Sequence, residues 1–486
     1  MNRQQFEEID RIFNPAGVAI IGASPGTDIA TLAHMQKKIR DRLYPVNPRY
    51  TEIMGKKCYP SVQDIEAPVD FAIISINAAM VPAVIEQCIR KGVKAAHIYT
   101  AGFSETGLPE GAEMEKKLKE TARGRIRVIG PNCFGIYCPK SGLAIVPEST
   151  EEEGGVGVIA QSGSVAESFA YFGRTKNLRF SKVISYGNAV DLDGPDFLEY
   201  MADDPDTKVI ALYIEGEKSG QRLRQALSYA ASKKPVIAIK GGLSEDGNRV
   251  ARSHTGQLTG SPQVWRTLFK QCGAVQVNNF DDMVNTVIAF SHSTLPISNR
   301  VAMITSSGGF GVIQTDLCVS EGLDVPRFSE ETLTNLRKLV PVAGTGIGNP
   351  LDAWPIFFKI FEKGGSLNDI IKIVAEDRNT DSLVFLFDQF RYLRRARKQE
   401  AVAHMQTVTG MMLEGADYCR GKMKKPVFLC VILDAYSEDE EDRKQNLLLR
   451  KAFADAGYPV YPTLHDGIKS LAKLYGYARD RGMTGR

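Results

Sequence analysis

Several features that mark other protein classes are missing from this sequence of 486 residues. No apolar run reaches the roughly 18–20 residues that a membrane-spanning helix needs, and the charged start, MNRQQFEEID, is unlike a signal peptide. The eight cysteines are scattered and none forms a C-x-x-C pair, so neither a disulfide framework nor a cysteine-rich zinc site is expected. These absences predict a cytoplasmic protein with reduced thiols.

The sequence also has no large excess of positive or of negative charge. Sixty Lys and Arg against 57 Asp and Glu leave a net charge of +3, without the strongly basic balance that is usual in nucleic-acid-binding domains. The 43% hydrophobic and 24% charged composition is that of a soluble globular chain and excludes a disordered or fibrous protein. We therefore expect neither nucleic acid nor a membrane as a partner.

Short apolar runs alternate with helical patterns along the whole chain. Nearly continuous apolar runs are typical of parallel strands covered on both faces, so an α/β fold of doubly wound domains is predicted. The length predicts about three domains at roughly 150 residues each. We place their boundaries at 1–145, 146–292 and 298–486, with a linker in HSTLPISN (292–299).

The second and third domains show the pattern of an internal duplication. The turn 162–164 corresponds to 307–309, and Lys-Pro-Val occurs at 234–236 and again at 425–427. A glycine with an aspartate nine residues later occurs at Gly273 and again at Gly457. Three correspondences in the same order favour a repeat; general similarity among α/β units is the alternative.

The segment VAIIGASPG (18–26) predicts a strand, a glycine turn and a helix start. Such a helix start attracts phosphate through its unpaired N–H groups and the helix dipole. The spacing is G-x-x-x-G, and Arg49 stands near the position where a NAD site carries a ribose-binding carboxylate. A phosphate-rich nucleotide other than NAD is therefore favoured, with a plain structural turn as the alternative.

Only six histidines occur, and none offers a metal-binding pair at i, i+4, so no metal site is predicted. His254 stands in a polar stretch rich in glycine and serine, GGLSEDGNRVARSHTGQLTGS (241–261), which we interpret as a long loop. Long loops of this kind are usually functional. An exposed loop histidine without a role is the alternative.

Two further elements of the second domain support a role for His254. The turn Ser162-Gly163-Ser164 opens a predicted helix whose N–H groups can receive a phosphoryl group. Glu215 ends the strand KVIALYIEG at the same predicted sheet edge. A carboxylate bound to one ring nitrogen fixes the tautomer and leaves the other nitrogen as a nucleophile.

The order of short motifs resembles that of the NDP-forming acyl-CoA synthetases, which include ADP-forming acetyl-CoA synthetase and, more distantly, the α subunit of succinyl-CoA synthetase. The similarity covers about residues 12–290 strongly and the third domain more loosely. The motifs that carry it are GASPG, YPVNPRY, CYPSVQDI, TAGFSETG, IGPNCFGI, QSGS, SYGNAVDLDGPDFLEYMADDPDTK, YIEG and RSHTG, and then TSSGGFGV and GNPLDAW.

The resemblance implies a Rossmann-like CoA-binding domain followed by two flavodoxin-like domains. It implies that His254 becomes phosphorylated, that Glu215 orients it and that Ser162, Gly163 and Ser164 stabilise the phosphohistidine. In the family an acyl phosphate forms, its phosphoryl group moves to the histidine, and CoA takes the acyl group. Residues expected near CoA are Gly22, Ala23, Ser24, Gly26, Arg49, Thr100, Ala101 and Gly102.

The family also implies an ATP-grasp domain, where the phosphohistidine makes ATP or GTP from the diphosphate. No ATP-grasp region is visible in the sequence, so a separate ATP-grasp β subunit carrying Mg²⁺ and the nucleotide is expected, in a hetero-oligomer. A CoA- or acyl-CoA-binding module without turnover is the alternative. Three aromatic residues are candidates for the acyl pocket, with plain packing as the alternative: Phe103, Phe134 and Tyr186.

Overall fold

The computed structural model describes most of the chain and forms two compact units, Met1–Met283 and Val284–Arg486. The residues that it describes are 1–25, 37–144, 150–255, 260–305, 307–340, 346–352, 366–387, 398–431 and 440–485. Within them, no helix is both long and apolar enough to cross a lipid bilayer.

The first sheet is parallel, with five strands in the order β2-β1-β5-β6-β7. Its central strands β1 and β5 are buried at every position, because helices cover both faces. A short β3–β4 hairpin and turns of 3₁₀ helix at Lys37–Arg42, Val62–Asp64, Ala78–Met80 and Ser104–Thr106 complete this part. The bounds are α1 Arg3–Phe13, β1 Val18–Ile21, β2 Leu43–Val46, β3 Glu52–Ile53, β4 Lys56–Lys57, β5 Phe71–Ile74, α2 Val81–Lys91, β6 Ala95–Ile98, α3 Pro109–Ala122 and β7 Arg127–Ile129.

The second sheet has seven strands in the order β14-β13-β12-β10-β11-β8-β9. Strands β10 to β14 are parallel, whereas β8 joins β11 and β9 in antiparallel pairs. The bounds are β8 Ile136–Cys138, β9 Leu143–Ala144, β10 Glu153–Ala160, α4 Gly163–Thr175, β11 Phe180–Ser185, α5 Gly194–Asp203, β12 Val209–Ile214, α6 Gly220–Lys233, β13 Val236–Lys240, α7 Glu245–Thr255, α8 Pro262–Cys272, β14 Val275–Gln276 and α9 Phe280–His292.

The third sheet, in the second unit, is parallel with the order β16-β15-β17-β18-β19. The bounds are β15 Val301–Thr305, α10 Gly308–Ser320, α11 Glu330–Leu339, β16 Leu351–Asp352, α12 Leu367–Ala375, β17 Ser382–Phe387, α13 Lys398–Gly421, β18 Val427–Val431, α14 Glu440–Asp455, β19 Val460–Tyr461 and α15 Leu464–Asp480.

The second and third sheets share one topology. Without the hairpin β8–β9, each sheet has five strands. When these are numbered in chain order, they lie in the spatial order 5-4-3-1-2 from one edge of the sheet to the other. Their corresponding helices α4 and α10 begin after Ser162 and Ser307, and Gly273 and Gly457 both have positive φ, of 77° and 74°. The structure thus supports the predicted duplication, and the predicted fold class of doubly wound α/β domains is confirmed.

Two details differ from the sequence-based expectations. Residues 241–261 are not one long loop, because 245–255 form the helix α7. The strands at 136–144, which we placed with the first domain, hydrogen-bond into the second sheet. The domain boundaries themselves stay predictions.

Candidate active site

A cleft of about 640 Å³ lies where strands of the first two sheets end. Its walls are the turns that follow β5, β6, β7, β10 and β11. Ligands of α/β domains bind at this edge because parallel strands direct their following turns to it. Both sheets belong to the unit Met1–Met283, so one compact body supplies every described wall. The lining residues fall in 75–77, 99–101, 132–134, 161–164 and 187–188.

One wall of the cleft is the start of α4. Ser162 precedes the helix and makes no side-chain capping bond to it; its hydroxyl instead lies 3.0 Å from that of Ser164. The N–H groups of a first helical turn have no intrahelical partner, so they can receive an anion. Ser162, Gly163 and Ser164 all line the cleft, as a phosphate-stabilising role requires.

Glu215 lies next to this helix start and is only 6% exposed. The Tyr213 hydroxyl donates to its Oε1 at 3.0 Å. Gln161, which directly precedes Ser162, accepts at its Oε1 from the Glu215 N–H at 2.7 Å and the Gly216 N–H at 3.1 Å. The end of β12 and the start of α4 are therefore fixed to each other through one side chain.

Lys240 is a buried cation beside Glu215 that the sequence analysis missed. It ends β13, lies in register with Ile214 beside Glu215, and is 4% exposed. Its Nζ lies 5.1 Å from the centre of the Trp265 ring. Burial lowers the pKa of Lys240 to about 8, an effect that the Glu215 carboxylate opposes. A lysine within the apolar run VIAIK was the available signal, because a cation in a buried strand needs compensation.

The predicted nucleophile is only partly described. The backbone of His254 lies in the last turn of α7, while its side chain lies outside the described residues. The chain reaches α7 directly from Lys240 through residues 241–244. The pairing of Glu215 with His254 stays a prediction.

The glycine turn after β1 is held close to the neighbouring strand. Gly22 has φ of 92°, and a Cβ built there would lie 2.1 Å from the backbone oxygen of Ser75. The Asn47 amide donates to the Ala23 oxygen at 2.8 Å, and Asn47 Oδ1 accepts from the Arg49 N–H at 3.0 Å. Only glycine fits such a close approach at positive φ.

Replacing Gly22 by alanine is expected to lower the free energy of unfolding of the first unit by more than an alanine at positive φ alone would. Gly92 is a matched control, since it has φ of 90° and nothing within 4 Å of its Cβ position. We expect Gly92→Ala to cost about 1–2 kcal/mol and Gly22→Ala to cost about 2 kcal/mol more because of the clash. Denaturant unfolding measures both, and equal losses would contradict the close approach.

The other residues expected near CoA divide into three groups. Ser24 is half-buried and Arg49 is exposed, both beside the turn of Gly22, while Gly26 lies outside the described residues. Thr100 and Ala101 line the cleft. The Thr100 hydroxyl fixes the neighbouring turn, donating to the Ile76 oxygen at 2.7 Å.

The loop that contains Thr100 is tied to the second sheet through Asn188. The Asn188 amide donates to Glu105 at 2.6 Å and to Glu115 at 2.8 Å. Glu105 in turn accepts from the N–H groups of Gly102 and Phe103, at 2.6 and 3.1 Å. Two acidic side chains thus hold the wall of the cleft in place.

The turn that carries Cys133 is rigid and apolar. His97 is fully buried, with its Nε2 3.0 Å from the Cys133 oxygen, and burial lowers the pKa of this imidazole to about 4. The ring is neutral at physiological pH for that reason. Burial also raises the pKa of the Cys133 thiol, which opposes thiolate formation. Cys133 is therefore a packing residue of the cleft wall.

The three aromatic candidates for an acyl pocket separate clearly. Phe134 lines the cleft, whereas Phe103 and Tyr186 are buried in the core and do not line it. The sequence placed all three near strand ends, but the direction of a side chain at a strand end depends on how the turn packs.

Similarity to known proteins is consistent with this arrangement. Residues 17–139 match the CoA binding domain family, and residues 153–290 match the family described as succinyl-CoA ligase like flavodoxin domain. The solved structure of dinucleotide forming acetyl-coenzyme A synthetase 1 of Ca. Korarchaeum cryptofilum, in complex with phosphate and ADP, aligns with a TM-score of 0.80 and 28% identity, covering 98% of both chains.

Curated relatives from archaea match over most of the chain. The α subunit of ADP-forming acetate–CoA ligase II of Pyrococcus furiosus is 39% identical over 77% of this chain and 81% of that one. The α subunit of its ligase I is 32% identical over 97% and 98%. The ADP-forming acetate–CoA ligase of Methanocaldococcus jannaschii is 42% identical over 71% of this chain. The match spans about half of that protein, 49% of its length.

Proposed function

The chain belongs to the family of ADP-forming acetate–CoA ligases, and from that premise we propose that it is the α-type component of an acid–CoA ligase. The proposed reaction interconverts acyl-CoA, a nucleoside diphosphate and phosphate with a carboxylic acid, CoA and the nucleoside triphosphate. The observation that carries this proposal is the single cleft that joins the Thr100–Ala101 turn to the start of α4.

The first step takes place inside this cleft. A thioester carbonyl held beside Thr100 and Ala101 is attacked by phosphate held at the N–H groups of Gly163 and Ser164. The C–S bond breaks, CoA leaves as thiolate and takes up a proton, and an acyl phosphate remains. Preorganised N–H donors stabilise the charge on the phosphoryl oxygens without reorganisation.

The second step uses the histidine of α7. A nitrogen of His254 attacks the phosphorus of the acyl phosphate, the P–O bond to the acyl group breaks, and the carboxylate leaves. Glu215 accepts the N–H of the other ring nitrogen, which fixes the tautomer and stabilises the charge that develops on the ring. Tyr213 and Gln161 hold Glu215 in position for this role.

The phosphohistidine then passes its phosphoryl group to a nucleoside diphosphate. We propose that an ATP-grasp component supplies that nucleotide site with Mg²⁺, as a separate subunit in a hetero-oligomer. The M. jannaschii relative is about twice as long as the matched region. The proposal therefore also allows the ATP-grasp component to be fused to the α-type component in one longer polypeptide. The proposal places CoA, the acid and the phosphorylated histidine on this chain.

Transfer of label from ATP tests the proposal. Mixed with a candidate ATP-grasp subunit, Mg²⁺ and γ-labelled ATP, this chain is expected to acquire acid-labile, base-stable phosphate. Addition of acetate and CoA is expected to discharge the label and form acetyl-CoA. A chain that stays unlabelled beside a partner competent with another α subunit refutes the ligase and favours a CoA-binding module without turnover.

A further inference from the structure

Phe134 lines the cleft beside the start of α4, where we place the phosphoryl group. Its ring centre is 6.2 Å from that of Tyr99, at an interplanar angle of 73°. A Cβ built on Gly163 would lie 3.2 Å from the Phe134 Cβ and 3.7 Å from its Cδ2. The ring therefore stands directly against the first residue of α4, beside the proposed phosphate site.

The backbone holds Phe134 in this place from both sides. The Ser185 hydroxyl accepts from the Phe134 N–H at 3.2 Å, and the preceding Cys133 oxygen contacts the buried ring of His97. The next residue, Gly135, approaches that same imidazole so closely that a Cβ there would lie 2.4 Å from its Cε1. A turn fixed in this way cannot move aside for a larger ligand without losing buried contacts.

The described residues that line the cleft directly are all uncharged, with no Lys, Arg, Asp or Glu among them. Ile76 and the rings of Tyr99 and Phe134 supply apolar surface, and burial together with Glu167 raises the pKa of Tyr99, so that its hydroxyl stays neutral. An acyl group with a second carboxylate would find no cation among these lining residues to pair with; the described Lys218 Nζ, near the cleft, already donates to the Asn188 oxygen at 3.2 Å.

We propose that Phe134 is a specificity-determining residue that sets the upper length of the acyl group. This inference rests on the proposed function, since it assumes an acyl phosphate with its phosphoryl group at the start of α4. The acyl carbon of such an intermediate is two bonds from the phosphorus, so its substituent lies close to Phe134, which packs against Gly163. Short, uncharged acyl chains fit, and longer chains meet the ring.

A series of acids of increasing length tests this assignment. With the ATP-grasp partner present, kcat/KM is measured for acetate, butyrate and hexanoate in the wild type, Phe134→Ala and Phe134→Leu. We expect Phe134→Ala to raise the hexanoate-to-acetate ratio about 10- to 100-fold, since one methylene in an apolar pocket is worth roughly 10-fold or more. Phe134→Leu is expected to give a smaller change in the same direction.

The control and the label separate the possible outcomes. Tyr171→Ala removes a 53% exposed ring from the same α4 helix and is expected to leave the ratio unchanged. If Phe134→Ala and Phe134→Leu are labelled by ATP as the wild type is, yet keep its length preference, the inference is overturned and the proposed function stands. A wild type that accepts no label overturns both.

Discussion

His254→Ala is expected to abolish phosphorylation of this chain by γ-labelled ATP and to reduce ligase turnover by on the order of 10⁴-fold or more. The reason is that the covalent intermediate has no other carrier: without the imidazole, the phosphoryl group has no nitrogen to which it can be transferred. The measurements are incorporation of label at a fixed time and the steady-state rate of acetyl-CoA formation, both with the same ATP-grasp partner and Mg²⁺.

A matched control distinguishes this role from a general need for histidine. His465 is exposed at the start of α15, so His465→Ala removes an imidazole without touching the cleft. We expect this variant to be labelled and to turn over like the wild type. Acid-labile label on the His254→Ala chain would show that another residue carries the phosphoryl group.

Glu215→Gln is expected to slow labelling about 100-fold while leaving the fold intact. Glutamine has the same shape and its oxygen can still accept from Tyr213, but it carries no charge to stabilise the imidazolium that forms. The nearby Lys240 also loses the carboxylate that opposes the effect of burial on its pKa. Rapid-quench labelling with ATP gives the rate constant, and thermal unfolding checks the fold.

The pH dependence of labelling adds a readout that a purely structural role of Glu215 would not change. A carboxylate beside an imidazole favours the protonated ring and raises its pKa. Only the neutral ring is a nucleophile, so the rate falls as the pH drops through that pKa. In the proposed pairing, Glu215→Gln removes the charge that stabilises the protonated ring, and the acidic limb of the profile is therefore expected at lower pH.

Glu217→Gln serves as the control for this experiment. Glu217 lies two residues further along the chain, and burial raises its pKa, but it interacts with Lys218 and Asp196 and not with Tyr213 or Lys240, the neighbours of Glu215. We expect both the rate constant and the acidic limb to stay as in the wild type. An unshifted limb in Glu215→Gln would mean that Glu215 does not act on the nucleophile.

The positions of the strands were largely predictable because a buried parallel strand has a simple sequence pattern. A parallel strand covered on both faces is apolar at consecutive positions, as in VAII of β1 and VIAIK of β13. Residues that follow such strands lie at the same edge of their sheet, so Thr100 in the first sheet and Ser162 and Glu215 in the second could be placed from the sequence.

Sequence patterns predicted the structure less well where the same residues are compatible with both a loop and a helix. The stretch 241–261 is rich in glycine and serine, which predicted a loop, yet 245–255 form α7 with Glu245 and Asp246 in its first turn. Acidic residues at a helix start interact favourably with the helix dipole and stabilise the helix. This signal was present in the sequence. The hairpin of β8 and β9 could not be assigned to a sheet from the sequence, because its pairing partners in β11 are far away in the chain, as in the pair Val183–Tyr137.

By itself, the sequence determined the fold class and most of the strand positions, since these depend on residues close together in the chain; the chemical type of the candidate site stays a prediction. Only the tertiary structure decided that Gln161 ties Glu215 to α4, that Lys240 is buried beside it, and that Phe134 alone of three candidate rings faces the cleft. These contacts join segments far apart in sequence, and their geometry follows from how whole layers pack against one another.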